Sequence, residues 1–120
     1  MDGRMAVCRL APTEDLPVWA LGAGGFRSVT RTADEWSVMC PEDVVPSGTQ
    51  CETGWRIFQV AGPLDFSLTG IASSIAGPLA DAEVSVFVIS TYDTDYVMVK
   101  ARNLDQAARA LEAAGHRVQL

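Results

Sequence analysis

The chain has 120 residues, 48% apolar and 20% charged. That length and mixture suit one compact unit, or two small subdomains sharing a core, and exclude disorder. Fifteen acids against nine bases leave a net charge of −6, which repels phosphate backbones and anionic lipid alike, so neither nucleic acid nor a membrane surface is expected as partner.

No apolar run approaches the ~20 residues that a membrane span needs. Met1-Asp2-Gly3-Arg4 opens straight into a strand-like pattern, without the basic and then apolar stretch of a secretory leader. The reading is a soluble, cytoplasmic protein. The three cysteines, Cys8, Cys40 and Cys51, are odd in number and none are at metal-ligand spacing. They are expected to be buried apolar thiols in a reducing compartment, with no metal and no cofactor.

In chain order, Met5 to Leu10 alternates as a strand. Ala11-Pro12-Thr13-Glu14-Asp15 breaks it. Leu16 to Leu21, with Pro17 inside, admits a short helical turn or an extended stretch. Gly22-Ala23-Gly24-Gly25 is a turn. Phe26 to Arg31 and Trp36 to Cys40 are strands around Thr32-Ala33-Asp34-Glu35. Pro41 to Gly54, rich in proline, glycine and acids, reads as the connection between two halves.

Trp55 to Val60 is the next strand, and Ala61 to Asp65 a loop. From Leu68 the apolar residues Leu68, Ile71, Ile75 and Leu79 fall at steps of three and four, which predicts a helix, with Gly77-Pro78 kinking or interrupting its last turn. Val84 to Thr91 and Tyr96 to Lys100 are strands around Tyr92-Asp93-Thr94-Asp95. Asn103 is placed to cap a second helix, with Gln106 in the capping-box position, apolar Leu104, Ala107, Ala108 and Leu111, and Gly115 as the stop. Arg117 to Leu120 is a last short strand. The order β-α-β-β-α-β predicts a ferredoxin-like α+β unit, an antiparallel sheet with two helices on one face. Residues 84–91 are apolar on both sides, so cover is expected on both faces, from the first half of the chain, from a second chain, or from both.

Two loops carry the candidate chemistry. Gly62-Pro63-Leu64-Asp65-Phe66-Ser67-Leu68-Thr69-Gly70 runs into a helix N-terminus, where free N–H groups favour a carboxylate and Gly70 admits close backbone approach. Ser90-Thr91-Tyr92-Asp93-Thr94-Asp95 offers hydroxyls and two carboxylates, which suit an ammonium or guanidinium. Together they describe a site for a free amino acid. The plainer alternative is that Ser67 caps a helix and Asp93 holds a turn.

Other candidates are weaker. His116, the single histidine, ends a helix. No serine or cysteine has a histidine in a supporting motif. Asp93 and Asp95 lack the second element of a paired-carboxylate catalyst. Trp19, Trp36 and Trp55 read as core residues, since the chain lacks the basic groove that single-stranded nucleic acid requires. No catalysis is expected.

The stretches Val60 to Ile71 and Ile89 to Val97, together with Phe26 to Pro41, resemble a family of small bacterial ACT-domain proteins, itself similar to the ACT domains of the CASTOR cytosolic arginine sensors. The resemblance covers nearly the whole chain. It implies two βαββαβ ACT-like units, a short and incomplete one over 1–54 and an ACT domain over 55–120. It also implies regulatory binding of a small molecule, an amino acid by expectation, at an interface between units. Thr91, Tyr92 and Asp95 match positions that help to hold the ligand in the sensors. The glycine-rich loop, Gly62 to Gly70 with Leu64, Asp65, Phe66, Ser67, Leu68 and Thr69, would supply backbone contacts beside Ser90. A homodimer is expected from the doubly apolar strand. The alternative is an oligomerisation module with empty loops; an enzyme using Asp93 or Asp95 as base ranks third.

Overall fold

A computed structural model describes residues 3–22, 24–61, 71–93 and 95–119. The chain divides into two compact units, Gly3–Trp55 and Arg56–Leu120.

The N-terminal unit is built on β1 (Met5–Leu10), β2 (Ser28–Arg31), β3 (Trp36–Pro41) and the first residues of β4 (Cys51–Ala61). β1 pairs antiparallel with β3 on one side, Ala6 opposite Cys40 and Cys8 opposite Val38, and antiparallel with β4 on the other. β2 pairs with the far edge of β3. Alternation along β1 and β3 puts Ala6, Cys8, Val38 and Cys40 on one face. There they bury completely with Ala20, while Leu10, Leu16, Trp19, Val29, Val44 and Val45 pack around them. Between the second and third strands, the Thr32 hydroxyl accepts from the N–H groups of Asp34 and Glu35, both at 3.1 Å, so a side chain closes this turn. Of the two conformations open to residues 16–21, the chain takes a 3-10 turn at Val18–Ala20, entered from Pro17 with φ −65°.

Two expectations for the middle of the chain are corrected. The connecting stretch 41–54 carries a 3-10 turn, Glu42–Val44, and β4 already begins at Cys51. Cross-strand pairing with β1 overrides the loop-like composition. Within β4 the register slips by one residue: Val7 pairs with Glu52, but Met5 with Trp55. Gly54 lies inside that slip at φ +80° and donates its N–H to Glu42 Oε2 at 2.9 Å. This is a β-bulge held by glycine and anchored by a carboxylate.

The C-terminal unit follows the order β4, α1 (Ile71–Asp81), β5 (Val86–Ser90), β6 (Asp95–Lys100), α2 (Leu104–Ala113) and β7 (Arg117–Gln119). β4 neighbours both β6 and β7, and β5 lies beyond β6, so the strand order is β7-β4-β6-β5. β4 and β7 are antiparallel, as are β5 and β6. Phe58, Ile75, Leu79, Val84, Val97, Val99, Ala107 and Leu111 form one buried core. Ile75 and Leu79 stand four apart, as do Ala107 and Leu111, so each helix turns one stripe inward. This is an α+β fold. The N-terminal unit shows strands and 3-10 turns, with no α-helix among its described residues.

Three local details differ from expectation. Of the kink or interruption expected at Gly77-Pro78, the interruption does not occur, since α1 runs through Pro78 to Asp81. Asn103 makes no side-chain cap. It ends a 3-10 turn, Ala101–Asn103, with ψ 4°, outside the extended conformation that a cap requires. Gln106 accordingly donates to the Ala82 carbonyl at 2.8 Å rather than reaching back to Asn103. On β5, Phe87 stays 41% exposed. Among the described residues the strand is the last in its sheet order, with β6 as its neighbour.

Both helices end in the same way. After α2, His116 N–H donates to Leu111 O and Gly115 N–H to Glu112 O, both at 3.0 Å, with Gly115 at φ +95°. After α1, Val84 N–H donates to Leu79 O and Glu83 N–H to Ala80 O, both at 2.9 Å, but the left-handed residue is Glu83 at φ +60°. These are paired Schellman closures. The second tolerates a Cβ because buried Val84 packs against the same core as Leu79.

Two stability changes follow. Gly54→Ala should destabilise by about 1–2 kcal/mol, since alanine at this φ meets the left-handed penalty. Glu83→Gly should stabilise by about 0.5–1 kcal/mol, relieving that penalty while adding the backbone freedom of glycine. Urea denaturation of each variant checks both, through shifts of the midpoint in opposite directions at unchanged slope.

Candidate functional site

The hairpin joining β5 to β6 carries the sequence-predicted Ser90–Asp95 run. Five paired positions set its register, from Val86 opposite Val99 to Ser90 opposite Asp95. The apolar pairs bury Val97, Met98 and Val99, and this locks the strand against slippage. The result at the turn end is specific: Ser90 and Asp95 face each other as the last rung before the turn. Ser90, Thr91, Tyr92 and Asp93 are exposed, Asp95 is half-buried, and Thr94 lies outside the described residues. Tyr92 is fully exposed, the most exposed large hydrophobic side chain of the described residues.

The other predicted element, Gly62, Leu64, Asp65, Phe66, Ser67, Leu68, Thr69 and Gly70, lies outside the described residues. α1 is described from Ile71 onward. The structure thus brings together Ser90 and Asp95, with Thr91 and Tyr92 on the turn between them.

Sequence reasoning missed a second cluster. Cys8, Cys40 and Cys51 come from three neighbouring strands of the N-terminal unit, and the Cys8 thiol lies within hydrogen-bonding reach of both others. Burial, reinforced by the neighbouring sulfurs, pushes the Cys8 thiol up to about 12. Burial also raises Cys40, against the lowering effect of its hydrogen bond with Cys8 and of Arg27. Cys51 is exposed, which corrects the expectation that all three thiols are buried. No group of histidine, cysteine or acidic side chains suited to a metal ion occurs among the described residues. Strand alternation alone could have aligned Cys8 with Cys40. Cys51 was hidden because its segment reads as a loop.

Trp55 is buried, as expected of a core residue, whereas Trp19 and Trp36 are half-buried. Trp36 donates its indole N–H to the Glu14 carbonyl at 2.9 Å, and the Arg31 guanidinium stands 4.9 Å from its ring centre. Its ring is therefore committed to contacts within the chain. No helix among the described residues is long and apolar enough to cross a membrane.

The strand and helix order of the C-terminal unit, with sheet order β7-β4-β6-β5, is ferredoxin-like. The family model described as the ACT domain matches residues 50–113, and a model of an N-terminal domain matches residues 3–48. The chain belongs to the ACT-domain family. It is 32% identical over 101 residues to the human protein CASTOR3P, across 73% of this chain and 62% of that protein. It is 33% identical over 89 residues to the bovine cytosolic arginine sensor for mTORC1 subunit 1, across 73% of this chain and 26% of the sensor. The chain therefore spans less than two thirds of the length of these relatives. Among solved structures, the Agobacterium tumefaciens protein Atu0741 is similar with a TM-score of 0.86 and 39% identity, over 94% of this chain and 84% of that one.

Tyr92→Ala should leave the urea midpoint within the equivalent of about 0.5 kcal/mol of the unsubstituted protein, because a fully exposed ring buries nothing that truncation could lose. A larger loss would mean that the ring packs against the protein in solution.

Proposed function

We propose that this chain is a regulatory binding domain for a free amino acid, and that Ser90, Thr91, Tyr92 and Asp95 form one side of the site. The observation that carries the reading is the ACT-family match, which spans the hairpin where Ser90 and Asp95 are paired. The arginine-sensor relatives support an amino acid as the class of ligand. On this reading the Asp95 carboxylate receives the ligand's ammonium or guanidinium group. The ligand's carboxylate goes to the backbone of the loop Gly62 to Gly70 ahead of α1, including Leu64, Asp65, Phe66, Ser67, Leu68 and Thr69, where a helix N-terminus carries partial positive charge. The reversed orientation would set like charges together.

The same reading takes residues 1–54 as a short, incomplete ACT-like unit and 55–120 as an ACT domain, with the ligand at an interface between ACT-like units. It takes the assembly to be a cytoplasmic homodimer, for which β5, last in the described sheet order, and exposed Phe87 provide a pairing edge. It assigns the chain no catalysis of its own.

A thermal-shift screen with the twenty amino acids identifies the ligand. Binding to the native state alone adds about 2.7 kcal/mol at a hundredfold excess over Kd. Calorimetry with the amino acid that scores should then show Asp95→Asn binding about ten- to a hundredfold more weakly, the loss of one charge-assisted hydrogen bond. Asp93→Asn, on the exposed turn, should change affinity less. Equal affinity for the unsubstituted protein and Asp95→Asn would reject the assigned site, and no shift with any amino acid would favour an oligomerisation module.

A further inference from the structure

The three cysteines occupy one face of one sheet. Cys8 on β1 stands directly opposite Cys51 on β4 in an antiparallel pair. Arg9 N–H donates to Gln50 O at 2.9 Å, so the adjoining rung, Arg9 with Gln50, is the hydrogen-bonded type. Rungs alternate along an antiparallel ladder, and Cys8–Cys51 is therefore a non-hydrogen-bonded rung, where Cα atoms approach to about 4.5 Å and side chains lie closest. That spacing falls inside the range of about 4.4–6.8 Å that a disulfide spans without backbone movement. Cys40 lies on β3, opposite Ala6 and therefore diagonal to Cys8, and its thiol is also within hydrogen-bonding reach of Cys8. The cluster joins one exposed thiol to two buried ones.

We propose that Cys8 and Cys51 form a reversible cross-strand disulfide, making the N-terminal unit a thiol–disulfide exchange site that low-molecular-weight disulfides address through Cys51. The exchange has two steps. Cys51 gives up its proton to water and its sulfur attacks one sulfur of the small disulfide. A protein–small-molecule S–S bond forms, the original S–S bond breaks, and one small thiolate leaves. Cys8 then loses its proton and attacks the Cys51 sulfur. The Cys8–Cys51 bond forms, and the second small thiolate is expelled. Two protein thiols are oxidised, one disulfide is reduced to two thiols, and the electrons balance.

Burial holds Cys8 protonated at neutral pH, because its thiol ionises only near 12. The second step is therefore the slow one, and it speeds up as pH rises toward that value. Cys51 is exposed, so the bond stays open to reducing thiols, as is typical of labile rather than structural disulfides. Cys40, beside Cys8, is the thiol that could compete for it.

The test uses the full chain and oxidised glutathione, with peptide mapping by mass spectrometry under non-reducing conditions. The expected product is a Cys8–Cys51 linked peptide pair in a monomolecular product 2 Da lighter than the reduced chain, reversed by dithiothreitol. Its rate of formation should increase about tenfold per pH unit between 7 and 9 once Cys51 is modified, since the Cys8 thiolate fraction increases tenfold per unit below its pKa. Cys51→Ser, an exposed replacement that leaves the core intact, should abolish the product. Cys40→Ser should retain it. Accumulation of Cys51–glutathione alone in the unsubstituted chain, a Cys8–Cys40 pair, or a disulfide between two chains would overturn the proposal.

Discussion

One strand supplies hydrogen-bond partners to both halves of this protein, and the remaining architecture depends on it. The first residues of β4 pair with β1, while its last residues pair with β7 and it also neighbours β6. The bulge at Gly54 shifts the register of β4 against β1 by one residue, just before the N-terminal unit ends at Trp55. Glycine makes it possible because the bulged residue sits at positive φ, and the Glu42 carboxylate fixes the N–H left outside the ladder.

The candidate ligand site depends on similar positional control. Burial of Val97, Met98 and Val99 sets the register of the β5–β6 hairpin, and that register alone decides that Ser90 faces Asp95. A slip of one residue would turn Asp95 to the other face. The polar end of the hairpin is thus aligned by apolar residues that no ligand needs to touch. Tyr92, on the turn of this hairpin, is fully exposed, and its ring contributes no burial to the fold.

The cysteines separate what a chain encodes from what a sheet assembles. Spaced 32 and 11 residues apart, Cys8, Cys40 and Cys51 show no motif. The β3-β1-β4 arrangement turns them into neighbours, and it divides their environments so that one thiol meets water and two do not.

Period-two and period-three-to-four patterns determined the C-terminal elements from the sequence alone. The strands expected at Val84–Thr91 and Tyr96–Lys100 are found at Val86–Ser90 and Asp95–Lys100, the apolar stripe of α2 follows its helical period, and Gly115 marks its helix end because only glycine enters positive φ without cost. The hairpin at Ser90–Asp95 was legible too, as a turn between two apolar strands. What only tertiary structure decided were the features set by partners distant in sequence. Cys51–Gly54 is strand because β1 lies alongside it, although its composition favours a loop. Gln106 bonds to Ala82 because a 3-10 turn takes the capping conformation away from Asn103. Glu83 holds a left-handed closure because Val84 and Leu79 share one core. Local sequence sets the periodicity of an element, whereas long-range pairing and burial set its ends, its register and its neighbours.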